Sequence, residues 1–173
     1  MKFIASLFFV AFVALTSAAQ TSGWQEFRSD AGRFSVLMPG DPEPSVVTVT
    51  LSKGDRHSNT FTYWDKVTND SFMVAYSDRV GDETRRRSNE EIFDKVRKGL
   101  LIATEGKLVR ENAVTLDGLT GREIVIERTD GTIQTQRLFL IKDRVYQVSA
   151  EIRKPGTSSG DVARFLNSFR LLS

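Results

Sequence analysis

The 173-residue chain has no cysteine, a single histidine, His57, and only four prolines. Without cysteine there is no disulfide and no thiolate nucleophile, so an exported form of this chain must rest on its core alone. One histidine and no cysteine supply too few ligands for a zinc or copper centre of the usual kind. An excess of one charge is lacking too, since 24 Lys and Arg face 22 Asp and Glu for a net charge of +2. That balance argues against the basic surface that binds nucleic acids or acidic membranes. The sequence therefore predicts no metal, no cofactor and no nucleic-acid partner.

The one long apolar run stands at the start. Lys2 precedes thirteen residues, 3–15, that carry no charge and one hydroxyl, Ser6. A basic start, an apolar stretch of this length and small residues after it are the parts of an export signal. Ser17-Ala18-Ala19 supplies the small residues, so residues 1–19 read as a cleavable signal peptide and residues 20–173 as one globular domain. A spanning helix needs about 20 apolar residues, and Thr16, Ser17 and Gln20 come too soon for that. No cysteine follows the cleavage point to carry a lipid. The expectation is an exported protein, periplasmic or secreted, with no lipid anchor and no membrane span after cleavage.

Beyond the signal, strand periodicity dominates. Phe34, Val36 and Met38 alternate, as do Val47, Val49 and Leu51, and Pro39-Gly40-Asp41-Pro42-Glu43-Pro44 between them reads as a loop because proline lacks a ladder donor. Residues 59–64 and 71–77 read as a hairpin around Val67-Thr68-Asn69-Asp70, with Phe61 and Tyr63 on one face of its first strand. Ser88-Asn89-Glu90-Glu91 is a capping box opening a helix whose apolar stripe runs through Ile92, Phe93, Val96, Leu100 and Ala103, with Gly106 as its left-handed stop. Residues 107–116, 121–128, 132–141 and 144–152 then form a meander, turning at Asp117-Gly118, Asp130-Gly131 and Lys142-Asp143. A last helix at 161–169 places Val162, Phe165, Leu166 and Phe169 on one stripe. The sum is an α+β domain, an antiparallel sheet of about eight strands covered by two main helices.

Three stretches carry a resemblance. Trp24-Gln25-Glu26-Phe27, then Gly32-Arg33-Phe34-Ser35-Val36 running into Met38-Pro39-Gly40, and the closing Arg164-Phe165-Leu166-Asn167-Ser168-Phe169-Arg170-Leu171 are similar to a group of uncharacterised exported bacterial proteins. The order of elements also resembles the PsbP-like fold, an antiparallel sheet sandwiched between helices. The photosystem II extrinsic protein shares that fold, as does a nuclear-import factor that binds the GTPase Ran. The resemblance implies an α/β/α sandwich acting as a binding or assembly module. It brings no catalytic residues, and nothing in the chain carries a photosynthetic role.

Candidate chemistry is sparse. His57, with Asp55 or Asp65 and a serine from elsewhere, could serve a hydrolase triad, and Gly156-Thr157-Ser158-Ser159-Gly160 has nucleophile-elbow spacing around Ser158. An elbow sits off a parallel strand, however, and the histidine should follow the serine, so a surface histidine and a Gly-Ser linker fit better. Asp65, Asn69 and Asp70 lack the ordered spacing of a calcium loop and suit turn capping. Glu123 and Glu127 share a strand face, where pairing with Arg137 or Arg144 is more ordinary than a glycosidase dyad.

Two groups remain as a candidate binding surface. One is the basic run Arg85, Arg86 and Arg87, which could grip an anion but has Asp78, Asp82 and Glu83 in the same stretch. The other is Tyr63 with Trp64, adjacent on a strand and so on opposite faces. The function expected is a non-enzymatic exported binding or assembly module, its partner an envelope protein or a small ligand. The alternatives are an exported hydrolase and an apolar-ligand carrier with a pocket lined by Phe61, Tyr63 and Trp64.

Overall fold

The structure, a computed structural model, describes residues 23–51, 54–79, 85–153 and 159–172. The expected signal peptide and Ser158 lie outside them. Among the described residues ten strands form two antiparallel sheets. The smaller has the order β1-β2-β10, from β1 (Gln25–Ser29), β2 (Phe34–Met38) and β10 (Arg170–Leu171). The larger runs β3-β4-β5-β9-β8-β7-β6. Its members are β3 (Glu43–Leu51), β4 (Gly54–Trp64), β5 (Ser71–Asp78), β6 (Lys107–Leu116), β7 (Leu119–Glu127), β8 (Ile133–Ile141) and β9 (Arg144–Ile152). Among the described residues the longer helices are α1 (Asn89–Thr104) and α2 (Ser159–Ser168).

The expected single sheet of about eight strands is thus corrected to seven plus three. β10 has only two residues, too few to show a period, and β1 is held by pairing with β2 rather than by alternation of its own. The proline-rich link is also shorter than expected, because Glu43 and Pro44 already belong to β3, an edge strand where a missing N–H faces outward at no cost.

Side-chain alternation divides the large sheet into two faces. Phe72, Val74 and Tyr76 of β5 lie beside Ala150, Val148 and Tyr146 of β9 and are all buried. They meet Phe34, Val36 and Met38 of β2 and Phe165, Leu166 and Phe169 of the C-terminal segment in one cluster. Phe34 sits at its centre, 5.6 Å from Phe169, 5.8 Å from Phe61 and 6.4 Å from Tyr146 between ring centroids. Ser168 stitches α2 to the small sheet, accepting from the Leu37 N–H at 2.8 Å and donating to the Phe165 carbonyl at 2.7 Å.

The opposite face carries α1. Ile92, Phe93, Val96, Leu100 and Leu101 pack on Ile124 and Ile126 of β7, Leu138 and Leu140 of β8 and Val145 of β9. The capping box is present: Ser88 Oγ accepts from the Glu91 N–H at 3.2 Å, and Glu91 Oε2 accepts from the Ser88 N–H at 2.8 Å. The left-handed stop is Glu105, with φ 48°, not Gly106. Gly106 is needed for another reason, since a Cβ there would lie 2.5 Å from Ile126 Cγ2. Asp117 and Gly118 both take positive φ, the primed turn that suits a two-residue hairpin.

Candidate functional site

One helix cannot cover seven strands. α1 shields β7, β8 and β9, and the same face of β3, β4 and β5 is built from Val47, Ser58, Thr60, Met73, Ala75 and Ser77. These are mostly short side chains, so the sheet surface steps down beside the helix. The step is a groove of about 370 Å³ between Ile92, Lys95 and Val96 of α1 and the floor of β4 and β5, with Val47 on its far wall. Val145 and Gln147 of β9 lie under the helix edge, and Arg79 and Arg87 close one end.

That end is a fixed scaffold. The Arg79 guanidinium donates to the carbonyls of Arg85, Arg87 and Lys142 at 3.0 to 3.3 Å and to Asp143 Oδ1 at 3.0 Å. It therefore holds the basic run against the β8–β9 turn. Asp78, at the same end, is taken by Arg144 in a two-pronged bond of 2.7 and 3.0 Å. That bond holds the Asp78 carboxyl below its ordinary range. Arg144 also donates to the Ala31 carbonyl at 2.8 Å and lies over the Tyr76 ring at 4.5 Å.

Beside Arg144, a more open cavity of about 480 Å³ is walled by Asp30, Arg33, Asp78 and Tyr146. The Tyr146 hydroxyl donates to the Gly32 carbonyl at 2.8 Å, and burial pushes its pKa up. These contacts weld the β1–β2 turn to the sheet, so Arg144, Asp78 and Tyr146 serve the fold here.

The remaining charge clusters tie elements together in the same way. Arg122 of β7 reaches Glu90 and Asp94 of α1 and Glu111 of β6, and Arg97 bonds Glu111 at 2.9 Å. On α1 itself, Glu91 serves the cap, and Asp94 is held charged by its bond to Arg122. Glu123 lies directly across from Arg137, as the strand reading anticipated, and bonds it at 2.8 Å and Arg110 at 2.9 Å. Burial opposes its charge, but the two arginines outweigh burial and keep its pKa low. Arg137 further donates to the Leu166 carbonyl and Asn167 Oδ1 of α2.

The sequence-derived candidates are not gathered into one surface. Tyr63 points into the aromatic cluster, with Gly40 against its ring, and Phe61 packs there too. Trp64 is exposed on the α1 face, at the Ser71 end of β5. Arg85, Arg86 and Arg87 sit at the other end of β5, beyond Asp78, roughly 23 Å away at 3.3 Å per residue. Only Arg87 of the five lines the groove. A pocket lined by Phe61, Tyr63 and Trp64 is therefore ruled out by alternation: the first two face one side and the third the other.

His57 lies on β4 and is exposed, its Nδ1 3.0 Å from Thr48 Oγ1. Asp65 caps its turn by accepting from the Val67 and Thr68 N–H groups, and Asp70 Oδ1 accepts from the Arg153 N–H. Among the described residues no group of three or more His, Asp or Glu is placed to hold a metal ion. No described helix is long and apolar enough to cross a membrane.

Sequence reasoning missed the groove because its signal is negative. Small residues at alternate positions of β4 and β5 mark a face that no described helix fills, but which strands lie beyond the helix depends on the strand order.

The sequence matches no known protein-family model and no curated protein. The structure is similar to the solution structure of cyanobacterial PsbP (CyanoP) from Synechocystis sp. PCC 6803, with a TM-score of 0.54 and 11% identity over 92% of this chain and 98% of that one. At that identity the likeness concerns the path of the chain and not its side chains, and this protein has a PsbP-like fold.

Proposed function

We propose that the chain is an exported, non-enzymatic binding or assembly module of the bacterial cell envelope, and that the groove beside α1 receives a small apolar or amphipathic ligand. The carrying observation is the contrast between the groove and the ionic clusters. Ile92, Val96, Val145, Met73, Ala75 and Val47 give the groove most of its apolar surface, the floor adds the short hydroxyls of Ser58, Thr60 and Ser77, and Lys95, Arg87, Arg79, Asp78 and Gln147 supply its larger polar groups. A concave, mostly apolar site with a few fixed polar groups is the common form of a small-ligand site. The ionic clusters around Arg122, Glu123 and Arg144 each bond two or more elements and so serve the fold.

This reading moves the apolar-ligand site from the aromatic residues to the α1 face.

Thermal melts of the purified protein against medium-chain carboxylates, alcohols and amines test the reading. A ligand at a hundredfold excess over its Kd adds ~2.7 kcal/mol, a rise of several degrees in Tm. Ser58→Phe, which fills the floor, removes that rise while leaving the ligand-free Tm nearly unchanged. Absence of any ligand-dependent rise breaks the ligand assignment. Turnover of an ester or peptide panel by the same preparation breaks the non-enzymatic one.

A further inference from the structure

The large sheet has two edges, and they are guarded very differently. β6 carries a register shift between Leu108 and Arg110 and charged residues at Lys107, Arg110 and Glu111. Bulges and charges are the usual means of stopping a strand edge from pairing with another chain. β3 pairs with β4 through nine unbroken partners, from Glu43↔Thr62 to Leu51↔Gly54. From Pro44 to Leu51 its sequence, PSVVTVTL, holds no charge and is rich in β-branched residues. Val46 is 61% and Val47 49% exposed, and Thr48 is exposed between them and the hairpin end.

The pattern of this edge selects its occupant. A proline in a strand sits where its nitrogen faces away from the ladder, so Pro44 points its missing donor outward. By the period of two, the peptide edges of Val46, Thr48 and Thr50, which pair with no described strand on that side, face the same way. An antiparallel second copy centred on Thr48 pairs Thr48 with its own copy and Val46 with Thr50. Every outward donor is then used, and Pro44 falls beyond the paired stretch. The paired run from Val46 to Thr50 is neutral, so in this register no like charges oppose one another along the seam.

We propose that β3 is a homodimerisation strand, and that two copies join through it about a two-fold axis at Thr48 into one continuous fourteen-stranded sheet. Pairing through one strand gives a small interface, so the dimer is concentration-dependent. The inference is independent of the groove, which lies on one face and not at this edge.

Sedimentation velocity of the purified protein over a wide concentration range tests it. The wild type is expected to pass from monomer to dimer. Thr48→Lys and Thr48→Glu each set like charges directly opposite one another at the axis, and each is expected to weaken dimerisation at least about tenfold. An equimolar mixture of the two is expected to restore it. Thr48 is exposed and loses only its surface contact with His57, so unchanged circular dichroism and at most a small shift in Tm are expected for both variants. A wild type that stays monomeric throughout overturns the proposal, and so does a dimer indifferent to Thr48→Lys or variants that do not rescue each other.

Discussion

One face of the seven-stranded sheet is packed with aromatic rings beneath α2 and the small sheet, whereas the other carries one aliphatic helix and a polar, partly open floor. On the first, Phe34, Phe72, Phe165 and Phe169 are each no more than 2% exposed. On the second, the buried set includes Gln134, Gln136 and Ser149, and Gln136 donates to Gln147 Oε1 at 2.7 Å. Large rings from three separate elements close a face completely and fix how those elements sit. A single helix over small polar residues leaves a step. The closed face is where stability is concentrated, and the open one is where a ligand has room.

Phe34→Ala should produce the largest effect. The ring contacts five other aromatic side chains across β1, β4, β5, β9 and the C-terminal segment. Its removal should cost about 4 kcal/mol, read as a lowered urea midpoint with little change in slope. A loss under about 1 kcal/mol would mean that the aromatic face is not the rigid one.

Arg137→Ala should come next, at about 3 kcal/mol. It strips one partner from the nearly buried Glu123 and two bonds from the end of α2. The pH dependence gives an independent readout. Because the folded Glu123 pKa is depressed, its stabilisation is fully present above the ordinary glutamate range and is lost as pH falls through the lower folded value. In Arg137→Ala burial is opposed by Arg110 alone, so the Glu123 part of the acid loss should begin at higher pH than in the wild type. Melts between pH 3 and 7 decide this, and parallel curves for the two proteins would show that Arg137 does not set the charge of Glu123.

Much of this architecture is legible in the residues, and the exceptions have physical causes. The meander boundaries at Lys107, Leu116, Arg144 and Ile152 coincide with β6 and β9, because Asp-Gly and Lys-Asp turns and steady alternation act locally. The Ser88 cap is equally local. The left-handed residue fell on Glu105 because the close approach of Ile126, not the helix stop, requires glycine at position 106. The small sheet escaped notice because β10 exists only once Arg170 and Leu171 meet Ser35 and Phe34. The groove could not be read for the same reason: β9 sits between β5 and β8 in space but follows both in sequence. Long-range order decides which small residues are left uncovered.

The smallest effect offers the sharpest comparison, because it applies one substitution to both faces. Val74→Ala removes two methyl groups from a side chain that is 0% exposed on the aromatic face. At about 0.8 kcal/mol per buried carbon, plus a cavity that rigid rings cannot refill, it should cost about 2 to 3 kcal/mol. Val96→Ala removes the same groups from the half-buried wall of the groove, where part of the side chain already meets open space. Its cost should stay below about 1 kcal/mol, and the enlarged groove should change the chain length of the amphiphile that gives the greatest rise in Tm. Equal costs at the two valines would mean that both faces are closed in solution, and the groove would then lose its standing as a site.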